Sequence, residues 1–560
     1  MKLRLTALAA LLFLAACAER YDAIVKGGTV YDGTGAPGVV ADIGIRGERI
    51  AAVGDLGYAK AGKVIDASGL AVAPGFINML SWANESLIED GRGESDLRQG
   101  VTLEVMGEGS SMGPLNDSMK EEAVARQGDI KYPIAWTTLG DYLGFLEQKG
   151  VSPNIASYVG ATTVRVHELG YEDRAPTAEE LTRMQELVRA AMREGALGVG
   201  SSLIYAPAFY ADTDELIALT KAAAESGGGY ISHMRSEGDR YLEAIDEVIT
   251  IAREAGTRAQ VYHLKPAGAA NWAKSAEGLE KLDAARAAGI DVSADIYAYA
   301  AGATGLDAAM PPWAQEGGHD AWVARLKDPS LRARVIAEMR APAEGWENLY
   351  QLAGGAQNVL LIGFRNDALK PLTGKTLAEV AAMRETSPED TMIDLVIEDD
   401  SRVGTAYFLM SEENIRRNIA WPHTMFGSDS GAYSPEGVFI LSNTHPRAYG
   451  NFARLFAKYV REEKVITVEE AVRRLTSLPA DHLRLRERGR LAAGYFADVV
   501  VFDPATIQDH ATFDKPHQLS TGVRDVFVNG VLTVENEAHT GAKAGRVLRG
   551  PGWSGWDKAD

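Results

Sequence analysis

Apolar and polar positions alternate with two different periods along this chain, and the change of period divides it. Within residues 22–73, "YDAIVKGGTVYD", "VADIGIRGERIAAVGD" and "KVIDASGLAVAPG" alternate Val, Ile and Tyr with polar residues, the pattern of strands that bury one face. Turns such as Asp32-Gly33 and Arg46-Gly47 punctuate them. The same texture returns in "GRLAAGYFADVVVFDP" and "VRDVFVNGVLTVENEAHTG" near the end. The two β-rich segments, 22–73 and 483–548, predict one small β-sandwich built from both termini.

Residues 74–482 between them alternate short apolar runs with amphipathic stretches, the order expected of a parallel sheet in an α/β domain. Eight runs qualify as strands: "AVAPGFINM", "TLEVMGEG", "NIASYVG", "ALGVGSSLIY", "GYISHMRS", "AQVYHLK", "DVSADIY" and "TMFGSDSG". Helical stretches such as "DTDELIALTKAAAES" and "LEAIDEVITIAREAG" open with acidic residues, which favour a helix N-terminus. Eight βα units predict a TIM-type (β/α)8 barrel, with its functional groups at the C-terminal ends of the strands. The long span between the seventh and eighth runs predicts a mostly helical insertion at about 307–420, placed as a lid over the barrel mouth.

Composition narrows the partners. The chain has 560 residues, 46% hydrophobic and 24% charged, an ordinary globular balance, but its net charge of −20 argues against nucleic acid and anionic lipid. At the N-terminus, Lys2 and Arg4 precede "LTALAALLFLAA", too short to span a bilayer and proportioned as a signal-peptide core. It ends in "LAAC", which resembles a bacterial lipobox, so residues 1–17 read as a lipoprotein signal with Cys17 as the lipidated residue. An ordinary signal peptide is the plainer alternative. Ala18 rather than Asp after that cysteine points to the outer membrane, facing the periplasm. Cys17 is also the only cysteine, which excludes an internal disulfide and a thiolate metal ligand.

Candidate chemistry lies at strand ends. His233 and His263 close the fifth and sixth runs, one βα unit apart. One such histidine alone reads as a hydrogen-bonded core residue; two at equivalent ends of adjacent strands read as metal ligands. Glu108, in the glycine-rich turn "GEGSS", either accepts bonds from that turn or completes a two-histidine, one-carboxylate zinc set with an open position. Asp429 in "GSDSG" is either a turn aspartate or a proton-transfer group.

"DASGLAVAPGFI" and "GRLAAGYFADVVVFD" resemble the entry and exit signatures of the amidohydrolase superfamily. "YADTDELIALTKAAAESGGGYISHMRSEGDRYLEAIDE", "VYHLKPAGAANW", "GSDSG", "HPRAYGNF" and "RRLTSLPADHLRL" resemble its N-acyl-D-amino-acid deacylases, or D-aminoacylases. The resemblance covers nearly everything after residue 22. It implies zinc and hydrolysis of an N-acyl amide, with Asp429 as proton shuttle. It also implies that Lys265 and Arg447 clamp a substrate carboxylate, that Tyr297 adds a hydroxyl donor and that Tyr205 lines the acyl side.

Three positions depart from that family. "PGFINMLSW" carries Leu80 and Trp82 where the family has His-x-His, and Asn78 where it has Asp. The cysteine expected after the second strand is absent, with Glu108 nearest, and a serine expected after the seventh is Ala303. One zinc ion per chain, held by His233, His263 and Glu108, is the resulting expectation. A catalytically silent binding lipoprotein and a related dipeptidase or cyclic amidase are the alternatives.

Overall fold

The computed structural model describes residues 20–556; the lipobox and Cys17 lie outside the described residues. Strands β1 (Arg20–Val30), β2 (Val39–Arg46), β3 (Arg49–Gly54), β4 (Lys60–Asp66) and β5 (Ala71–Pro74) form the N-terminal segment. Next come β6 (Phe76–Asn78), β7 (Val101–Met106), β8 (Asn154–Ser157), β9 (Val159–Gly160), β10 (Gly198–Ser202), β11 (Gly229–His233), β12 (Ala259–Val261) and β13 (Val292–Ile296). Then follow β14 (Gly302–Gly305), β15 (Val359–Gly363), β16 (Gly404–Tyr407) and β17 (Thr424–Phe426). The chain closes with β18 (Val499–Phe502), β19 (Val523–Val528), β20 (Val531–Glu535) and β21 (Ala538–His539).

The two ends of the chain share one nine-stranded sheet, ordered β21-β20-β19-β18-β5-β1-β2-β3, with β4 also paired to β1. The join is antiparallel, Val499 opposite Pro74 and Phe502 opposite Ala71. Ile43, Ile45, Ile65, Val72, Val499 and Val501 from both ends fill one buried cluster.

The middle is an α/β, TIM-barrel-like domain. Two parallel groups, β6-β7-β8 and β9-β10-β11-β12-β13-β17, are joined because β8 and β9 are one run interrupted at Tyr158. At the other margin Met79 N–H donates to Phe426 O at 3.0 Å and Asp429 N–H to Leu80 O at 2.8 Å, so the end of β6 lies beside β17. All residues of β7, β8, β10, β11 and β13 are buried, as expected for parallel strands covered on both faces. The covering helices follow the sequence pattern. Thr213–Ala224 is capped by Asp212, whose side chain accepts Glu215 N–H, and Tyr241–Ala255 buries Ala244, Ile245, Val248, Ile251 and Ala252 on one face.

Two features differ from the sequence reading. "AVAPGFINM" is not one strand: Ala71–Pro74 belongs to the terminal sheet and Phe76–Asn78 to the barrel. Gly75 makes the passage, since a Cβ there would sit 2.0 Å from Thr102 Oγ1. The span between β13 and β17 holds helices, including His319–Lys327, Pro329–Arg340 and Pro388–Asp399, but also an antiparallel sheet ordered β14-β16-β15. "GATG" in β14 carries no apolar alternation, so its pairing to β16 is visible only in three dimensions.

Candidate metal centre and active site

Each candidate ligand stands just where a parallel strand ends and turns. Glu108 follows β7 behind Gly107, whose φ is 106° and whose absent Cβ would meet Tyr158 O at 2.4 Å. His233 ends β11. His263 lies just beyond β12 with φ 35°, a left-handed conformation costly for a non-glycine residue. Asp295 of β13 holds that turn, accepting His263 N–H at 2.9 Å. Burial pushes the Asp295 carboxyl up to about 7 against the pull of His263.

These three side chains converge. His233 Nδ1 and His263 Nε2 each lie 3.2 Å from Glu108 Oε1, and the imidazole centroids are 4.6 Å apart. Donors at about 2.0–2.1 Å around a tetrahedral zinc lie roughly 3.3 Å from one another, so the spacing suits one ion. His233 Nε2 is buried with no hydrogen-bond partner. Burial would raise the Glu108 carboxyl, but its bonds to His233 and His263 hold it well below the carboxylate range, keeping it anionic. Two imidazole nitrogens and one carboxylate oxygen with no thiolate are a fitting set for zinc.

Trp82 explains what became of the first-strand positions. Its indole Nε1–H donates to Glu108 Oε2 at 2.9 Å, while Leu80 is fully buried. Asn78 joins a buried network, donating to Asp96 Oδ2 and Glu104 Oε2 at 3.0 Å each and to Ser428 Oγ at 2.8 Å.

Asp429 follows β17 with φ 50°, and its Oδ2 receives Arg447 Nη2 at 2.9 Å. Burial, with Glu108 nearby, raises the Asp429 carboxyl, and Arg447 opposes the rise. Arg447 is 2% exposed, its guanidinium carbon 4.4 Å from the Tyr297 ring centroid. Arg447 Nε and Nη1 and the Tyr297 hydroxyl are buried without partners. Lys265 is placed differently from a free clamp residue: its Nζ donates to Glu237 Oε1 at 2.6 Å and sits 2.8 Å from His263 Nδ1. Tyr205 packs its ring 5.5 Å from that of His233 and donates its hydroxyl to Thr304 Oγ1 at 2.9 Å.

All of these groups line one cavity of about 530 Å³. Ala303 and Thr304 of β14, with Asp307, His319 and Arg402 farther along the β13–β17 span, form its outer wall. Sequence reasoning missed Glu237, although it follows His233 by one helical turn's spacing in "HMRSEGD", and the bond between Trp82 and Glu108.

The amidohydrolase family profile matches residues 63–534. The chain belongs to the amidohydrolase family. It is 34% identical to a D-aminoacylase of Alcaligenes xylosoxydans xylosoxydans over 95% of this chain and 98% of that one. It is 35% identical to an N-acyl-D-glutamate deacylase of the same organism, over 95% and 97% respectively. The crystal structure of D-aminoacylase superposes with a TM-score of 0.78 at 34% identity, covering 94% of this chain and all of that one. The N-acyl-D-glutamate deacylase of Bordetella bronchiseptica, in complex with zinc and a phosphonate mimic of the tetrahedral intermediate, gives 0.78 at 31% identity, covering 95% and 100%.

Proposed function

We propose that this chain is a zinc-dependent amidohydrolase that cleaves N-acyl-D-amino acids to a carboxylic acid and a free amino acid. The observation that carries the reading is a metal-suited triad beside a buried, unfilled carboxylate seat. Glu108, His233 and His263 lie in the same cavity as Asp429, the two unpartnered nitrogens of Arg447 and the Tyr297 hydroxyl. Glu108, His233 and His263 would hold the ion, whose chemistry is Lewis acidity toward an amide carbonyl and a lowered pKa of water.

The chain's own groups supply the rest. Arg447 Nε and Nη1 and the Tyr297 hydroxyl receive the substrate carboxylate, a charge-assisted contact strengthened by burial. That anion shares Arg447 with Asp429, weakens the hold on its carboxylate and makes Asp429 a stronger base when substrate is seated. Asp429 accepts the proton of the attacking water and returns it to the departing nitrogen. Tyr205 bounds the acyl side, and residues from β14 to Arg402 wall the same cavity.

One ion per chain belongs to the same reading. D-aminoacylase has a binuclear centre with one-metal activation and second-metal attenuation. Here Leu80 and Trp82 offer no ligand atoms, and the Trp82 indole occupies Glu108 Oε2 instead. We also read the nine-stranded sheet as a β-sandwich and the parallel strands as one distorted closed barrel, on the strength of the Met79–Phe426 and Asp429–Leu80 bonds. Lipidation at Cys17, with the enzyme on the outer membrane facing the periplasm, completes the proposal.

The test is a substrate panel on zinc-loaded protein: N-acyl-D- and N-acyl-L-amino acids, dipeptides and hydantoins. Turnover confined to acylated D-amino acids supports the reading; turnover of dipeptides or hydantoins alone replaces it. Binding of acyl amino acids without turnover makes the chain a binding protein.

A further inference from the structure

Glu237 stands behind the triad, one turn past His233, and is 2% exposed. Its two oxygens face the far nitrogens of both imidazoles. Oε1 is 2.9 Å from His263 Nδ1, and Oε2 is 4.0 Å from His233 Nε2. The near nitrogens, His263 Nε2 and His233 Nδ1, are the pair gathered on Glu108 Oε1. A neutral imidazole that gives one nitrogen's lone pair to a metal carries its proton on the other. Glu237 Oε1 is within reach of His263 Nδ1, which Lys265 Nζ also approaches at 2.8 Å, whereas His233 Nε2 faces Oε2 across 4.0 Å without a hydrogen bond; Lys265 Nζ donates to Oε1 as well.

We propose that Glu237 is a positioning residue of the metal centre, orienting His263 through Nδ1 and standing within reach of His233 Nε2 to close on it when an ion is held. The assignment rests on the reading of Glu108, His233 and His263 as the zinc-holding set.

Glu347 of the β13–β17 span supports Glu237 from behind. Its Oε1 accepts Ser236 Oγ–H at 3.0 Å and the backbone N–H groups of Glu237 and Gly238. His233, Glu237 and Glu347 also bring ligand atoms within 4.8 Å of one another, which raises a second cation site as the competing account. His233 argues against it. With Nδ1 committed beside Glu108, its Nε2 is left as an N–H donor, and a second cation there would require an imidazolate.

The experiment measures zinc affinity of the full chain by competition with a chromogenic chelator, without substrate, in wild type, Glu237→Gln and Glu237→Ala. The expected result is one zinc per chain throughout, with affinity weakened by about 10–100-fold in both variants. Glu237→Gln keeps the side-chain volume, so it serves if Glu237→Ala does not fold. Variant affinities within about twofold of wild type would overturn the assignment, because orienting partners of this kind cost far more. A stoichiometry falling from two to one would overturn it too, by making Glu237 a ligand. A wild-type chain that takes up no zinc fails the functional reading itself, and this assignment with it.

Discussion

The indole nitrogen of Trp82 sits 2.9 Å from Glu108 Oε2, on the opposite side of that carboxylate from the oxygen that faces His233 and His263. The bond divides the labour of one side chain. One oxygen is occupied by the indole, and the other is turned to the two imidazoles. Trp82 thereby orients the carboxylate that the proposed centre would use as a ligand.

Removing that bond is expected to loosen Glu108 without removing it. Trp82→Phe forfeits a hydrogen bond to a charged group, and zinc affinity should fall about tenfold. Zinc in excess should not depress the activity of wild type. Restoring Leu80→His and Trp82→His together should raise zinc content from one toward two per chain. Metal analysis of dialysed protein reads both results, and a wild-type chain already holding two ions contradicts the single-ion reading.

Asp429 is expected to govern turnover rather than binding. Asp429→Asn should lower kcat by about 10²–10⁴-fold, the usual worth of a proton-transfer group, with KM little changed. Steady-state kinetics on an acylated D-amino acid checks it. A proportionate rise in KM instead would make Asp429 a binding residue.

In the proposed mechanism Arg447 serves both substrate and base, so its loss should have two signatures. Arg447→Met should raise KM by roughly 10–100-fold through lost charge-assisted bonds. It also removes the cation that opposes the raised pKa of Asp429, so the acid limb of the kcat profile should move to higher pH. A pH–rate series separates the two; an unmoved limb would uncouple Arg447 from Asp429.

The Asp96–Glu104 pair beneath Asn78 predicts a pH-dependent stability. Burial raises both carboxyls, and Glu104 raises Asp96 further. A folded-state pKa above the unfolded value near 4 gives a contribution fully present below that value and lost as pH rises through the raised ones. Glu104→Gln keeps an acceptor for Asn78 and removes the second charge. Its melting temperature should therefore exceed wild type by more at pH 8 than at pH 5. Thermal melts across that range test the sign.

Where a single side chain or a local period carried the information, the sequence was readable. Parallel strands betrayed themselves as short apolar runs, the helix before β11 by the Asp212 cap, and His233 and His263 by recurrence at strand ends. What depended on contact between distant segments was hidden. The split of Ala71–Asn78 between two sheets has no local marker beyond Gly75. Lys265 reads as a free cation until Glu237 is placed beside it. Trp82 reads as a lost ligand until its indole meets Glu108. The sheet of β14, β15 and β16 joins segments distant in sequence, and β14, "GATG", resembles a loop although β15, "VLLIG", is an apolar run.

The seam at Ala71–Pro74 has a consequence for how the molecule is made. Its antiparallel partner, Val499–Phe502, lies more than four hundred positions downstream. A nascent chain that has produced the entire barrel still carries an open row of backbone donors and acceptors directly upstream of β6. That row stays adhesive until the last stretch of polypeptide emerges to cover it. Premature termination before Val499 should therefore yield clumping rather than a soluble fragment, however complete the hydrolytic pocket has become.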